Sequence, residues 1–136
     1  MKLLLALALL ALPVMAQRTG PYDCTRTAIS GTITGSGATQ IIPVQTGLIR
    51  ICQIIVQVVQ TATPANFGVV SGSGTNCATN QGAVSAMWTG VASAIQGYTK
   101  NVPYGSVLFV ANNNGVCLNL SAAVTGAQIE ILYDVY

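Results

Sequence analysis

Four cysteines, Cys24, Cys52, Cys77 and Cys117, are the residues of this chain best suited to covalent chemistry. No two of them stand at a C-x-x-C interval, and the sequence has no histidine, so a zinc site lacks both its usual spacing and its usual partner ligand. An even number of cysteines in an exported chain reads as disulfides, with three connectivities to choose from. The acids offer less. Asp23, Glu130 and Asp134 are the full set. On an extended strand Glu130 and Asp134 share a face ~13 Å apart, beyond the carboxylate separation of either glycosidase class. They read as charges that guard an edge strand. No serine sits in a Gly-x-Ser-x-Gly elbow, and there is no imidazole base to activate one. Gly72-Ser73-Gly74 lacks the lysine and helix of a phosphate cradle and reads as a turn. No carboxylates cluster for calcium. The expectation is a protein that is not an enzyme and holds no metal or cofactor. Trp88, Tyr98 and Tyr104 could form a stacking platform for a sugar ring, although a lone tryptophan in such a domain more often belongs to the core or its rim. Asn119-Leu120-Ser121 matches a glycosylation acceptor, but it falls inside an expected strand.

The elements that must position these residues are strands. Short β-branched runs alternate with Gly, Ser, Asn or Pro breaks, which predicts strands over residues 27–34, 39–45, 48–60, 66–71, 83–88, 106–112, 116–122 and 127–136, with a shorter one over 94–98. Period-2 patterning supports them: Cys52, Ile54, Val56 and Val58 share one face, as do Ile129, Ile131, Tyr133 and Val135. Leu118 and Leu120 complete the expected core. The run Asn112-Asn113-Asn114-Gly115 predicts a tight turn, because Asn and Gly accept positive φ. Beyond the leader no segment shows convincing three-and-four spacing. Eight or nine strands without helices need two layers, so an antiparallel β-sandwich is expected. A jelly roll is favoured over an immunoglobulin-like fold, whose Cys–Trp–Cys arrangement is missing.

The same patterning bears on the bridges. The expected pairs are Cys24–Cys52 and Cys77–Cys117. Cys24 directly precedes the first strand and can reach a neighbouring strand without disturbing the sheet. Cys77 follows the 72–74 turn in a loop that can fold over Cys117. Cys52 is placed on the apolar face of its strand and Cys117 on the polar face of its own. Opposed side chains do not meet the ~3.8 Å Cβ separation of a disulfide, unless the strands lie in different sheets or a bulge shifts the register.

The first residues read as a targeting segment. Lys2 supplies a positive start, residues 3–12 are apolar, and Pro13 precedes Val14-Met15-Ala16, which predicts a signal peptide of residues 1–16. The run is shorter than the roughly 20 residues a membrane span needs. Residues 17–26 then form an N-terminal arm and 27–136 a single domain. After cleavage, Arg18, Arg26, Arg50 and Lys100 face three acids, so the net charge is near zero. Such a surface gives a phosphate backbone nothing to bind, which argues against a nucleic-acid partner. It also removes a barrier to self-association.

Three ordered motifs carry a family likeness. Gln40-Ile41-Ile42-Pro43-Val44 is followed by a glycine turn and Leu48-Ile49-Arg50-Ile51-Cys52. Next comes the stretch Val69-Val70-Ser71-Gly72-Ser73-Gly74-Thr75-Asn76-Cys77-Ala78-Thr79, and then Gly115-Val116-Cys117-Leu118-Asn119-Leu120-Ser121-Ala122-Ala123-Val124, with a last strand bearing Tyr133. In these the chain resembles the small jelly-roll domains of tailed-phage and phage-like virion proteins, in particular their cysteine-bearing variants, which match at Cys52, Cys77 and Cys117 and near the domain start at Cys24. The resemblance implies a structural, decoration or attachment module. The expected role is an exported structural or adhesive surface module that assembles with itself, a particle or a cell surface. The alternative is a secreted carbohydrate-binding sandwich using Trp88, Tyr98 or Tyr104.

Overall fold

The computed structural model describes residues 24–102 and 108–136. The expected signal peptide, most of the arm and Tyr104 lie outside the described residues. Among the described residues there is no α-helix, and nine strands form: β1 Arg26–Ile29, β2 Gly37–Gln45, β3 Ile49–Val59, β4 Phe67–Ser73, β5 Thr79–Ala83, β6 Ile95–Asn101, β7 Leu108–Val110, β8 Asn114–Leu120 and β9 Gly126–Val135. One sheet runs β1-β9-β3-β6, with β7 pairing the first residues of β3 where β6 does not reach; the other runs β2-β8-β4-β5.

All pairings are antiparallel, and four of them are nested: β1 with β9, β2 with β8, β3 with β6, β4 with β5. A single long hairpin would make these four pairs. Rolling that hairpin sets β9 beside β3 and β8 beside β4, the two pairings that complete the sheets. The result is a jelly-roll sandwich. The layers enclose a core of hydrocarbon alone. Ile49, Ile51, Ile54, Val56, Val58, Ile129 and Ile131 come from the first sheet, and Ile42, Phe67, Val69, Val116, Leu118 and Leu120 from the second. Each such side chain contributes about 1.5–3 kcal/mol by leaving water. Tyr133 is half-buried against this core rather than enclosed by it.

Several elements differ from the sequence reading. In β3, Ile51 pairs with Tyr133 and Gln53 with Leu132, so Cys52 is the extra residue of a β-bulge. The bulge rotates the strand's alternation. Ile49 and Ile51 join Ile54, Val56 and Val58 in the core, and Cys52 leaves that face half-exposed. Residues 84–88 are not a strand, apart from one bridge between Phe67 and Trp88. The strand β5 lies just before them instead. Its Thr-Asn-Gln-Gly-Ala sequence is exposed throughout, so no apolar alternation marks it. β1 ends at Ile29; Ser30 still exchanges two hydrogen bonds with Ile129 of β9, and the next contact is the Ile33–Ala127 bridge. The tight turn falls at Asn112-Asn113, with Asn113 at φ 62°; Asn114 and Gly115 already belong to β8.

Candidate functional site

The bridges are Cys24–Cys52 and Cys77–Cys117, with Cα separations of 6.0 and 6.3 Å. Neither enters the core. The segment before β1 crosses the end of β9, where Thr25 donates its backbone N–H (2.9 Å) and Oγ1–H (2.8 Å) to Asp134 Oδ1. Cys24 then reaches Cys52 on β3, the neighbour of β9 on the other side. The bulge makes this possible, since it aims Cys52 away from the core. Cys52 and Cys117 lie in different sheets, and their side chains point outward from opposite layers. The expected pairing therefore holds on different grounds from the in-or-out alternation that was assigned to Cys52.

Cys77 sits in a one-turn 3₁₀ segment, Thr75–Cys77, where Asn76 and Cys77 both take φ 53°. Asn76 Oδ1 accepts the Gln40 backbone N–H at 3.1 Å, which docks this loop on β2. The loop thus lies over the outer face of the second sheet, and Cys77 and Cys117 are fully buried beneath it. A Cβ on Gly72 would fall 2.8 Å from Cys77 Cβ, so the loop needs a glycine under it. Next along β4, a Cβ on Gly68 would meet Met87 Sδ at 2.6 Å. The outer face of this sheet is covered by the protein's own chain. Gly72 and Ser73 are the last residues of β4 and not the expected turn; the chain leaves the strand at Gly74, φ 75°, and Ser73 Oγ stands 2.8 Å from Thr79 Oγ1.

Two of the three expected sugar-stacking residues, Trp88 and Tyr98, face inward. Trp88 and Tyr98 stack on each other with centroids 4.9 Å apart and planes at 16°, and both contact the buried Phe67 ring, at 5.5 and 5.3 Å. This cluster closes the sandwich between β6 and the chain that follows β5. Beside it lies an amide node that the sequence reading did not single out. Gln60, 4% exposed, accepts from Ala65 N–H (2.8 Å) and donates to Ala65 O (3.0 Å) and to Gln96 Oε1 (3.1 Å). Gln96 in turn holds Thr89 O and Val91 N–H. One buried side chain so fixes two loops. A glutamine at the end of a β-branched run carries no signal that it will be buried.

Asn119 lies half-buried in mid-strand, and Ser121 Oγ accepts the Asn66 N–H at 2.8 Å. Glu130 and Asp134 both sit on the outer side of β9, as two-residue alternation requires, but β9 lies between β1 and β3, so they guard no edge strand; Arg50, 8% exposed, is the register partner of Asp134. Among the described residues no three of His, Cys, Asp and Glu come together, and no helix is long and apolar enough to cross a membrane.

Among the described residues, the outer face of the first sheet is a surface with a shape of its own. Its cross-strand rows follow from the register. Ile29, Glu130, Ile55 and Thr99 form one row; Gln128 and Gln57 form the next with Gly97; Gly126, Val59 and Ile95 form a third. Two adjoining hollows of about 180 and 150 Å³ run along it, and both are lined by Gln57 and Gln128. Ile29 and Ile95, at opposite edges, are each 70% exposed. Among the described residues no loop crosses the middle of this face as the Cys77 loop crosses the other; Thr32 lies against its end, with Cγ2 3.3 Å from where a Cβ on Gly126 would stand.

Fold and bridges together define a class: a small jelly-roll sandwich stapled by two disulfides outside its core. No protein-family model, no curated protein and no solved structure matches the chain. The two formed disulfides are those of an oxidising, extracellular-type environment.

Proposed function

We propose that the chain is an exported structural or adhesive module that acts by binding within a surface assembly, such as a virion decoration or attachment component, and performs no reaction. One observation carries the reading. The surface left open by the fold is a flat, nearly uncharged sheet face of amide, hydroxyl and aliphatic side chains, and the titratable groups are scattered. A rigid, disulfide-bonded sandwich suits a part that must persist outside the cell, where cysteines stay oxidised. In this reading the leader directs export and is removed after Ala16.

The carbohydrate alternative is not favoured, because Trp88 and Tyr98 spend ring faces on each other. The test is localisation with an antibody raised to the mature domain, applied to particles, envelopes and culture supernatant of the producing cells. Label on particles or envelopes is the expected outcome. Protein found only free in the supernatant would overturn the reading. A glycan array checks the alternative in parallel.

A further inference from the structure

The two outer faces of the sandwich are treated differently by the same chain, and the contrast points to a partner. The second sheet is roofed by the Cys77 loop, pinned through Cys117, and by Met87 over Gly68. Among the described residues the first sheet has no such roof over its middle rows, although it presents Ile55 and Val59 there and Ile29 and Ile95 at its edges. Its centre is the cross-strand pair Gln57–Gln128, both exposed, and no hydrogen bond within the described residues engages either amide. We propose that this face docks a second copy of the chain, sheet against sheet, centred on the Gln57–Gln128 row. The proposal rests on the assembly reading above and names its first contact.

Two arguments select a second copy over other occupants. A two-fold interface sets a patch against itself, so its groups must be self-complementary. A primary amide, with a donor and an acceptor, meets that condition, and a patch of one charge sign does not. With the two-fold axis along the Gln57–Gln128 row, each amide meets its own counterpart, and Ile55 of one copy meets Val59 of the other. Charge is the second argument. Glu130 is the one ionised group in these rows, one row from the axis. At ~3.3 Å per residue the two copies of Glu130 would stand ~13 Å apart, beyond the Debye length of ~8 Å at physiological salt. Area sets the strength of the contact. About this axis the sheets overlap only as far as the nearer sheet end, from Ile55 to Val59, so ~16 Å of strand across four strands ~4.8 Å apart gives a projected overlap of roughly 300 Å² per copy. Two copies then bury about 600 Å², the size of a weak, concentration-dependent contact and not of a permanent dimer. Nucleic acid would need cations that this face lacks.

The experiment is sedimentation velocity of the mature, oxidised protein over a wide concentration range, followed by the same measurement on variants. A concentration-dependent dimer is expected. Gln57→Lys places like charges across the axis and should weaken dimerisation at least about tenfold. Val44→Lys, at an exposed position on the other sheet, should leave it unchanged. Mixing Gln57→Lys with Gln57→Glu protein should restore association as a heterodimer, which misfolded variants cannot do. If Gln57→Lys fails to fold, Ile29→Lys on the exposed edge strand serves in its place. A strict monomer at every concentration overturns the proposal. So does a dimer that survives both Gln57→Lys and Ile29→Lys, or one abolished by Val44→Lys. A monomer that still labels particles refutes this contact and leaves the assembly reading standing; a dimer found only free in the supernatant does the reverse.

Discussion

The two bridges should differ in what their removal costs and in the order in which they reduce. Cys24–Cys52 joins residues 28 apart and Cys77–Cys117 residues 40 apart. Chain entropy then assigns them about 3.6 and 3.9 kcal/mol respectively. Unfolding entropy near 60 °C is about 2.1 cal/mol/K per residue, roughly 230 cal/mol/K for the ~110 residues from Cys24 onward. Losing the first bridge through Cys24→Ser with Cys52→Ser should therefore lower the melting temperature by about 16 °C. Losing the second should cost more than the small entropy difference implies. Cys77 and Cys117 are fully buried, so the serine pair leaves hydroxyls in a site shaped for sulfur, at about 1–3 kcal/mol for each one unsatisfied. Reduction should run in the opposite sense to that cost. Thiolate attack needs access, and Cys24 and Cys52 are half-exposed. Mild reductant followed by alkylation and peptide mapping should label Cys24 and Cys52 before Cys77 and Cys117. Scanning calorimetry on the two double-serine variants reads the stability order. Labelling of Cys77 first, or a larger loss from the Cys24/Cys52 pair, would refute the burial argument. A drop under about 4 °C for either variant would refute the entropic one.

Three further outcomes follow from single contacts. Ile54→Asp should abolish folding, because Ile54 is fully buried and an unpaired carboxylate there costs several kcal/mol against a total of ~5–15; a cooperative melt of this variant would contradict the assigned core face. Gln60→Leu strips partners from both backbone groups of Ala65 and from Gln96, and should destabilise by about 2–3 kcal/mol in urea unfolding, with the difference lying in the midpoint and not in the slope. Gly90→Ala should also destabilise, since its Cβ would stand 2.3 Å from Ala65 O; an unchanged midpoint would show that the two loops separate freely.

The architecture was legible where burial is one-sided. In β9, Ile129 and Ile131 alternate with Gln128 and Glu130, and the face assignment carried over without change. In β3 the alternation before and after Cys52 cannot both hold on one face without a bulge, and a bulge leaves no composition mark at Ile51-Cys52-Gln53. The turn Asn112-Asn113 was visible to within a residue because positive φ restricts the residue types; β5 was invisible because an edge strand exposed on all sides answers to no hydrophobic period. The aromatic cluster shows the same limit from the other side. Phe67 on β4 and Tyr98 on β6 belong to different sheets, and only the roll of the hairpin brings Phe67 against Tyr98 and Trp88. Of the open face, each strand alone shows glutamines among apolar neighbours, Gln53 and Gln57 in β3 and Gln128 in β9; the Gln57–Gln128 pair exists only in the register.

The placement of the sulfur explains why that face is open. A disulfide inside the core would have to be packed like any other side chain, at the close density of an interior. Here both bridges lie outside the hydrocarbon and act on chain that crosses an outer face. Cys77–Cys117 holds its loop over the middle of the second sheet, where Cys77 and Cys117 are fully buried. Cys24–Cys52 acts only at one end of the first sheet, where the crossing segment also binds Asp134, and it leaves the rows from Ile55 to Val59 uncovered. Exposed β-branched rows on a sheet are a liability for a chain that must stay monomeric. The chain could have charged them, yet the six positions of Ile55, Gln57, Val59, Gly126, Gln128 and Glu130 hold one ionised group. A surface that is stiffened at its end, uncharged along its middle and unroofed has the properties of an interface.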